Sequence, residues 1–322
     1  MDIIKKWQWN IAQLTNNYKS YTMETKYPIA TVAIIDSGID YYHPDLKNNI
    51  LNSGKSFIPY DSSLLDTTGH GTLVAGIITS KGLSKGVSNN IKIAPYKVLD
   101  SQGGESQKII EAIKQAVIDN HKVINISSGA YLSLNVKSDK VLINKYKEVV
   151  KFALSRNTII VASSGNNSSY ENLSNDINYY PACLKDVISV GAVDKDNKIT
   201  KYSKANVITD LYAPGGSWGP DYDRNGYIDY RYLILSTYPT YLNPYLASNT
   251  SLPKGYDFSL GSSLATAQVS ATIALLVDQY YNINKNYPTL TFILNILIQS
   301  SNNTLIVNTY DSLKYFKESL KI

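Results

Sequence analysis

From Ala265 to Tyr281 the chain contains neither glycine nor proline, and Val269, Ala271, Ile273, Ala274, Leu275, Leu276 and Val277 make this stretch apolar on nearly all sides. A helix of that kind cannot lie on a surface; it needs a core that surrounds it. The 322 residues, 43% hydrophobic and 18% charged, suffice to build one. The stretch opens at Gly261-Ser262-Ser263-Leu264. A loop therefore becomes a buried helix at a serine, where unpaired N–H groups and the positive end of the helix dipole gather. A hydroxyl held there can attack a carbonyl while its own N–H faces the oxygen that becomes negative. A serine there can equally be a plain N-cap, so the choice depends on the rest of the chain.

Upstream, short apolar runs alternate with helical patterns. Ile29–Ile35, Ile91–Leu99, Val123–Ser127, Thr158–Ala162 and Val187–Val193 read as strands. Leu73–Ile78, Gln107–Asp119 and Tyr146–Arg156 read as helices, and Pro288-Thr289 caps a further packed helix at Phe292–Ile298. This rhythm predicts an α/β fold, one parallel sheet with helices on both faces. The whole chain, 1–322, reads as a single domain, with residues 1–28 as a polar arm laid over the core and 216–233 as an insertion.

Three positions stand out in that frame. The first strand ends at Asp36-Ser37-Gly38, placing a carboxylate where open α/β sheets collect functional groups, although an aspartate there is also an ordinary turn residue. His70 lies between Gly69 and Gly71, a collar that lets other backbone come close, whereas His43 and His121 read as structural. Asn166 follows the strand at 158–162. Together Asp36, His70, Ser263 and Asn166 are the residue types that acyl transfer uses. The serine attacks, the histidine takes its proton and later gives it to the leaving amine, and the aspartate fixes the imidazole tautomer. The asparagine amide and the Ser263 N–H can bind the oxyanion, one such donor being worth roughly 10²–10³ in rate.

Asp36-Ser37-Gly38-Ile39-Asp40, Gly69-His70-Gly71-Thr72 and Gly261-Ser262-Ser263-Leu264-Ala265-Thr266 resemble the three signature segments of the subtilisin-like serine proteases, in that family's order. His43-Pro44-Asp45-Leu46, Ser127-Ser128-Gly129, Ser164-Gly165-Asn166 and Ala213-Pro214-Gly215 resemble its secondary signatures. The resemblance implies a subtilisin-like three-layer fold, with a seven-stranded, mostly parallel sheet between helices, and endopeptidase chemistry that needs no cofactor. It implies Asn166 as oxyanion donor, and Gly103-Gly104 and Ser127-Ser128-Gly129 as edges that pair with an extended peptide. Tyr179 stands where the family's specificity pocket often has glycine, which implies a shallow pocket. Two departures are Ser262, where the family usually has threonine, and Ala267-Gln268, where it has Pro-His. Asp45 matches a ligand of the family's common calcium site, but Ser80–Gly86 adds no carboxylate, so that site is not expected here.

The insertion offers another candidate. Asp221, Asp223, Asn225 and Asp229 sit at EF-hand spacing around Gly226, but Tyr232 takes the place of the closing glutamate. A structural calcium and a polar surface loop both fit that pattern. The net charge of +5 is spread over scattered lysines, which excludes a nucleic-acid stripe, and no apolar run reaches the ~18 residues that a membrane span requires. Cys183 alone gives no disulfide framework and reads as a small core residue, which suits a reducing compartment. With no signal-like N-terminus, the expectation is a cytoplasmic enzyme; a trimmed secreted precursor is the alternative.

Within the family the chain is similar to lantibiotic leader peptidases. The likeness rests on Leu264 after the nucleophile, the Trp7-Gln8-Trp9-Asn10 opening and the long insertion after Ala213-Pro214-Gly215. It implies a peptide substrate with an acidic leader, complementary to the positive net charge. A general intracellular subtilase and a non-catalytic peptide-binding relative are the competing readings.

Overall fold

The computed structural model describes residues 7–166, 176–203 and 209–320. Its centre is β1 (Thr31–Asp36), every residue of which after Thr31 is buried. β2 (Lys55–Ser56), α2 (His70–Thr79), β3 (Lys92–Lys97) and the ribbon of β4 (Leu99–Asp100) with β5 (Gly103–Gly104) follow. Then come α3 (Ser106–Ile118), β6 (Val123–Ile126), β7 (Ala130–Ser133), α4 (Lys137–Ser155) and β8 (Ile159–Ser163). β9 (Ile177–Tyr180), β10 (Ile188–Val193) and β11 (Leu211–Pro214) complete the middle of the chain. The rest holds α5 (Tyr222–Asn225), β12 (Ile234–Thr237), β13 (Tyr256–Ser259), α6 (Ser262–Asn284), α7 (Leu290–Ser300) and α8 (Thr309–Ser319), while α1 (Trp9–Leu14) precedes β1.

Seven strands form one sheet in the order β11-β10-β8-β6-β1-β3-β2, and each neighbouring pair is parallel. The chain leaves β1 toward β3 on one side and later builds β6, β8, β10 and β11 on the other. The C-terminal end of β1 is therefore the switch point of the sheet, where a crevice opens. Residues along β1 divide between two cores, as a strand's period of two requires. Val32 and Ile34 join α2, α6, α7 and α8 on one face, whereas Ala33 and Ile35 join α3 and α4 on the other. The three layers expected from the sequence are present.

The apolar helix runs longer than its pattern, from Ser262 to Asn284, and is buried without a break from Ser262 to Gln279. Buried polar side chains along it tie it to its surroundings. Ser270 donates to Asn125 Oδ1 (2.9 Å), Thr272 meets Thr309 (2.7 Å), and Asp278 accepts from the N–H groups of Ile29 and Ala30 (2.7 Å each). Thr289 caps α7 through Phe292 N–H, as its sequence suggested.

Several expectations need correction. The helix expected at 146–156 begins nine residues earlier, at Lys137. Its first half buries only Ile143, so apolar periodicity gives little sign of it, and Asp139 favours the dipole of its first turn. The N-terminal arm is more than polar cover, for Ile11 and Leu14 are fully or almost fully buried in the core of the α6 face. Trp9 Nε1 donates to the carbonyl of Leu233 (2.9 Å), and Gln8 bonds both backbone groups of Lys85. The insertion carries its own apolar cluster. Trp218, Ile228, Tyr230 and Leu233 pack with Leu235, Tyr256 and Phe258, and Trp7 meets Phe258 edge to face. The antiparallel pairs β12–β13 and β7–β9 lie outside the βα rhythm and were not expected.

Candidate active site

Asp36 is the last residue of β1 and is fully buried. Both its carboxylate oxygens lie on Nδ1 of His70, at 2.8 and 2.9 Å. His70 opens α2, and its glycine collar has a steric cause on each side. Gly69 has φ +94°, and a Cβ there would meet the Tyr238 ring at 2.1 Å. A Cβ on Gly71 would meet the carbonyl oxygen of Gly38 at 2.1 Å. The start of α2 is held by Asp66, also buried. Its carboxylate accepts from the N–H groups of Gly69 (2.9 Å) and Thr72 (2.8 Å) and from the hydroxyls of Ser37 (2.8 Å) and Thr72 (2.7 Å). Asp66 escaped notice in the sequence because it stands three residues before the N-cap position Gly69, outside the place where a capping side chain is expected.

The His70 ring is half-buried, with 35% of its side-chain surface exposed. Burial alone would lower its basicity. The charge and hydrogen bond of Asp36, with Asp66 further away, outweigh burial and hold the ring above its usual pKa of 6.5. An Nδ1–H held on a carboxylate leaves Nε2 free to accept a proton.

Ser263 lies in the first turn of α6, where backbone N–H groups have no partner within the helix. Its hydroxyl donates to the carbonyl oxygen of Ser127 (3.0 Å), and among the described residues no hydrogen bond joins it to His70. Catalytic hydrogen bonds are often formed only once substrate is bound. Asn166 stands at the same helix end. Its Oδ1 accepts from the N–H of Ser262 (2.7 Å) and from the Ser262 hydroxyl (2.8 Å), which also reaches the carbonyl of Gly165 (3.0 Å). With Oδ1 held twice, Nδ2 is the part of the amide left to face a ligand. Ser262 thus orients Asn166, a role its sequence motif did not disclose. Gln268, at the other departure, donates from Nε2 to the carbonyls of Pro214 and of Leu264 (3.1 Å), tying α6 to the end of β11.

The two expected peptide edges flank this centre. Gly103–Gly104 form β5, the exposed strand of the ribbon that follows β3. Ser127-Ser128-Gly129 continue from β6, and β3 and β6 are the two neighbours of β1. Ser128 Oγ is buried and is without a hydrogen-bond partner among the described residues. Tyr179 occupies the space between the second edge and the loop before Asn166. Its ring lies 2.8 Å from where a Cβ on Gly129 would stand and 3.6 Å from the equivalent point on Gly165. It tilts against Tyr131, with centroids 4.8 Å apart, and burial pushes its hydroxyl pKa up to about 12.

In both calcium candidates the carboxylates are bonded to protein groups. Asp223 pairs with Lys201, Asp221 with Arg224 (2.9 Å), and Asp229 with Arg231 through both oxygens. The helix α5 runs through the loop positions, and Asn225 Oδ1 accepts from the N–H of Tyr227 (2.9 Å). Among the described residues no group of three His, Cys, Asp or Glu could hold a metal ion. Asp45 is held by donors instead, the N–H (2.8 Å) and hydroxyl (2.9 Å) of Ser84 and the Tyr256 hydroxyl (2.8 Å).

The family model described as Subtilase family matches residues 29–316. The chain belongs to the subtilases. These are serine endopeptidases, and two curated relatives are leader-processing members. The nisin leader peptide-processing serine protease NisP of Lactococcus lactis subsp. lactis is 32% identical over 318 residues, covering 87% of this chain and 45% of that protein. The epidermin leader peptide-processing serine protease EpiP of Staphylococcus epidermidis is 30% identical over 308 residues, covering 85% of this chain and 65% of that protein. The chain thus spans about half the length of the first relative and just under two thirds of the second. A solved structure described as a lanthipeptide protease matches with a TM-score of 0.88 at 34% identity, over 97% of this chain and 96% of that one. No helix among the described residues of this subtilase is long and apolar enough to cross a membrane.

Proposed function

We propose that this subtilase removes the leader from a lantibiotic precursor peptide by a single cut, with Ser263 as nucleophile, His70 as general base and then acid, and Asp36 holding the imidazole. The observation that carries the chemistry is the Asp36 carboxylate on His70 Nδ1, which leaves Nε2 to serve the serine. Ser263 Oγ adds to the scissile carbonyl and its proton passes to Nε2. The oxyanion is met by Asn166 Nδ2 and the Ser263 N–H. Collapse of the tetrahedral adduct breaks the C–N bond, and Nε2–H protonates the leaving amine. Water then attacks the acyl-enzyme, giving its proton to the same nitrogen, and the serine is released with the carboxylate product.

The peptide is read as a strand added between Gly103–Gly104 and Ser127–Gly129. Tyr179 fills much of the space for the residue before the cut, so a small side chain is favoured there and selection shifts to other contacts. That suits a processing enzyme, and likeness to a lanthipeptide protease along nearly the whole chain supports this choice among subtilases. Reaction in the cytoplasm is part of the proposal and rests on the solitary cysteine.

The test is intact-mass analysis of a modified precursor peptide incubated with the enzyme and with its Ser263→Ala variant. One cut at the junction of leader and core, absent with the variant, is expected. Many cuts, in the precursor and in unrelated unfolded proteins alike, would point to general protein turnover. Peptide binding without cleavage by either protein would reduce the chain to a binding module.

A further inference from the structure

A cavity of about 340 Å³ opens beside His70, and no step described so far uses it. Its walls are mostly apolar and aromatic, from Trp218, Tyr238, Tyr245, Leu246, Phe258 and Leu260, with Leu73 and Thr68 near the histidine. Much of this wall belongs to the insertion and to the connection between β12 and β13.

The wall is a built feature. Asp257, almost fully buried, accepts hydrogen bonds from the N–H groups of Tyr245 (2.6 Å), Ala247 (2.7 Å), Phe258 (2.8 Å) and Leu246 (3.0 Å). That clamp fixes the backbone that carries Tyr245 and Leu246. It also spends the carboxylate on backbone donors, so the one acid in the lining is already satisfied and the cavity is not made for a cation. Trp218 stacks on Tyr222, with centroids 5.3 Å apart, and its carbonyl accepts from the N–H of Asp229 (2.9 Å). Tyr238 packs against Gly69, directly before the histidine. Tyr245 differs from these. It is 82% exposed, a bare ring at the rim with surface to bury.

Position decides which part of a peptide reaches the cavity. The acyl half of the substrate lies along Ser127–Gly129 and Gly103–Gly104, and neither edge lines the cavity. The lining runs instead through residues 257–260, which lead straight into Gly261-Ser262-Ser263, and across to His70. The leaving amine must pass that histidine to receive its proton. The cavity is therefore on the leaving-group side. We propose that it is the subsite for the residue directly after the scissile bond, and that it selects an apolar or aromatic side chain there, with Tyr245 closing over it. This rests on the serine endopeptidase reading of His70 and Ser263 and adds to it which first residue of the released fragment the enzyme accepts.

The experiment is digestion of a synthetic peptide library, randomised on both sides of the cut, with the products sequenced by mass spectrometry. The parent, Tyr245→Ala, Tyr245→Phe, Trp218→Ala and Ser263→Ala proteins are compared. In the parent, Leu, Ile, Phe and Tyr are expected after the cut about tenfold more often than Ala, Asp or Lys, the discrimination that filling an apolar pocket supports. Tyr245→Ala and Trp218→Ala should flatten that ratio, and Tyr245→Phe should keep it. Cuts by the parent with no preference at this position would overturn the subsite and leave the protease reading standing. A preference that survives both alanine variants would place the selectivity elsewhere and overturn it too. If the parent cuts no more than Ser263→Ala, the protease reading itself falls and takes the subsite with it.

Discussion

Ser262 should matter to catalysis only through Asn166, and a double-mutant cycle can isolate that link. The Asn166 amide is oriented by two donors on its Oδ1, the Ser262 N–H at 2.7 Å and the Ser262 hydroxyl at 2.8 Å. Ser262→Ala removes the second and keeps the first. A neutral hydrogen bond is worth about 0.5–1.5 kcal/mol net, which sets a loss of about two- to twelvefold in kcat. Asn166→Ala removes an oxyanion donor outright and should cost roughly 10²–10³. KM should hardly move in either variant, because the bond to the oxyanion forms in the transition state. In the double variant the Ser262 effect should vanish, since no amide is left to orient. The lost hydroxyl also leaves the buried Gly165 carbonyl without its partner, a stability cost of about 1–3 kcal/mol, so rates are read well below each variant's melting temperature. The assay is steady-state cleavage of one fluorogenic peptide by the parent, both single variants and the double. Losses that multiply in the double variant would refute the orienting role, as would a Ser262→Ala enzyme as slow as Asn166→Ala.

Three further outcomes follow from the same geometry. His70 must be neutral to accept the serine proton, and Asp36 holds its pKa above 6.5, so kcat/KM should fall on acidification with a midpoint above that value; in Asp36→Asn the rate should drop by about 10⁴, measured as a pH–rate profile. Tyr179→Gly should empty the space beside Gly129 and raise cleavage after large residues such as Phe or Leu by about tenfold or more, read from matched peptides; unchanged preference would mean that the ring does not line the pocket. Asp45 is satisfied by Ser84 and Tyr256, so Ser84→Ala should lower stability by about 1–3 kcal/mol, whereas EDTA should leave the melting temperature of the parent unchanged; a drop with EDTA would show a cation site that this geometry does not contain.

The reach of the sequence can be followed residue by residue. β1, β6, β8 and β10 were legible because both faces of each are buried and each reads as a mainly apolar run, interrupted only by Asn125 in β6 and by Ser189 and Gly191 in β10. His70 and Ser263 were legible because their glycine neighbours are conspicuous, and the structure gives cause for that at Gly69 and Gly71. Asp66, Ser262 and Asp257 were not. Each acts through hydrogen bonds that look unremarkable in sequence until the fold brings the partners together. The pairing of Asp223 with Lys201 and of Asp229 with Arg231 was equally illegible, because the EF-hand spacing carries no sign of which cation each carboxylate meets.

The sequence alone therefore determined the α/β layering, which follows from local periodicity, and its signature segments carried the resemblance to the subtilases that the family match bears out. Tertiary structure decided which side chains meet: that Asp45 is tied down by Ser84 and Tyr256, that the Tyr179 ring fills the space beside Gly129, and that Trp218 and Tyr245 wall a cavity beside His70. Those contacts join segments tens to hundreds of residues apart, and no local pattern fixes which of many similar side chains will meet.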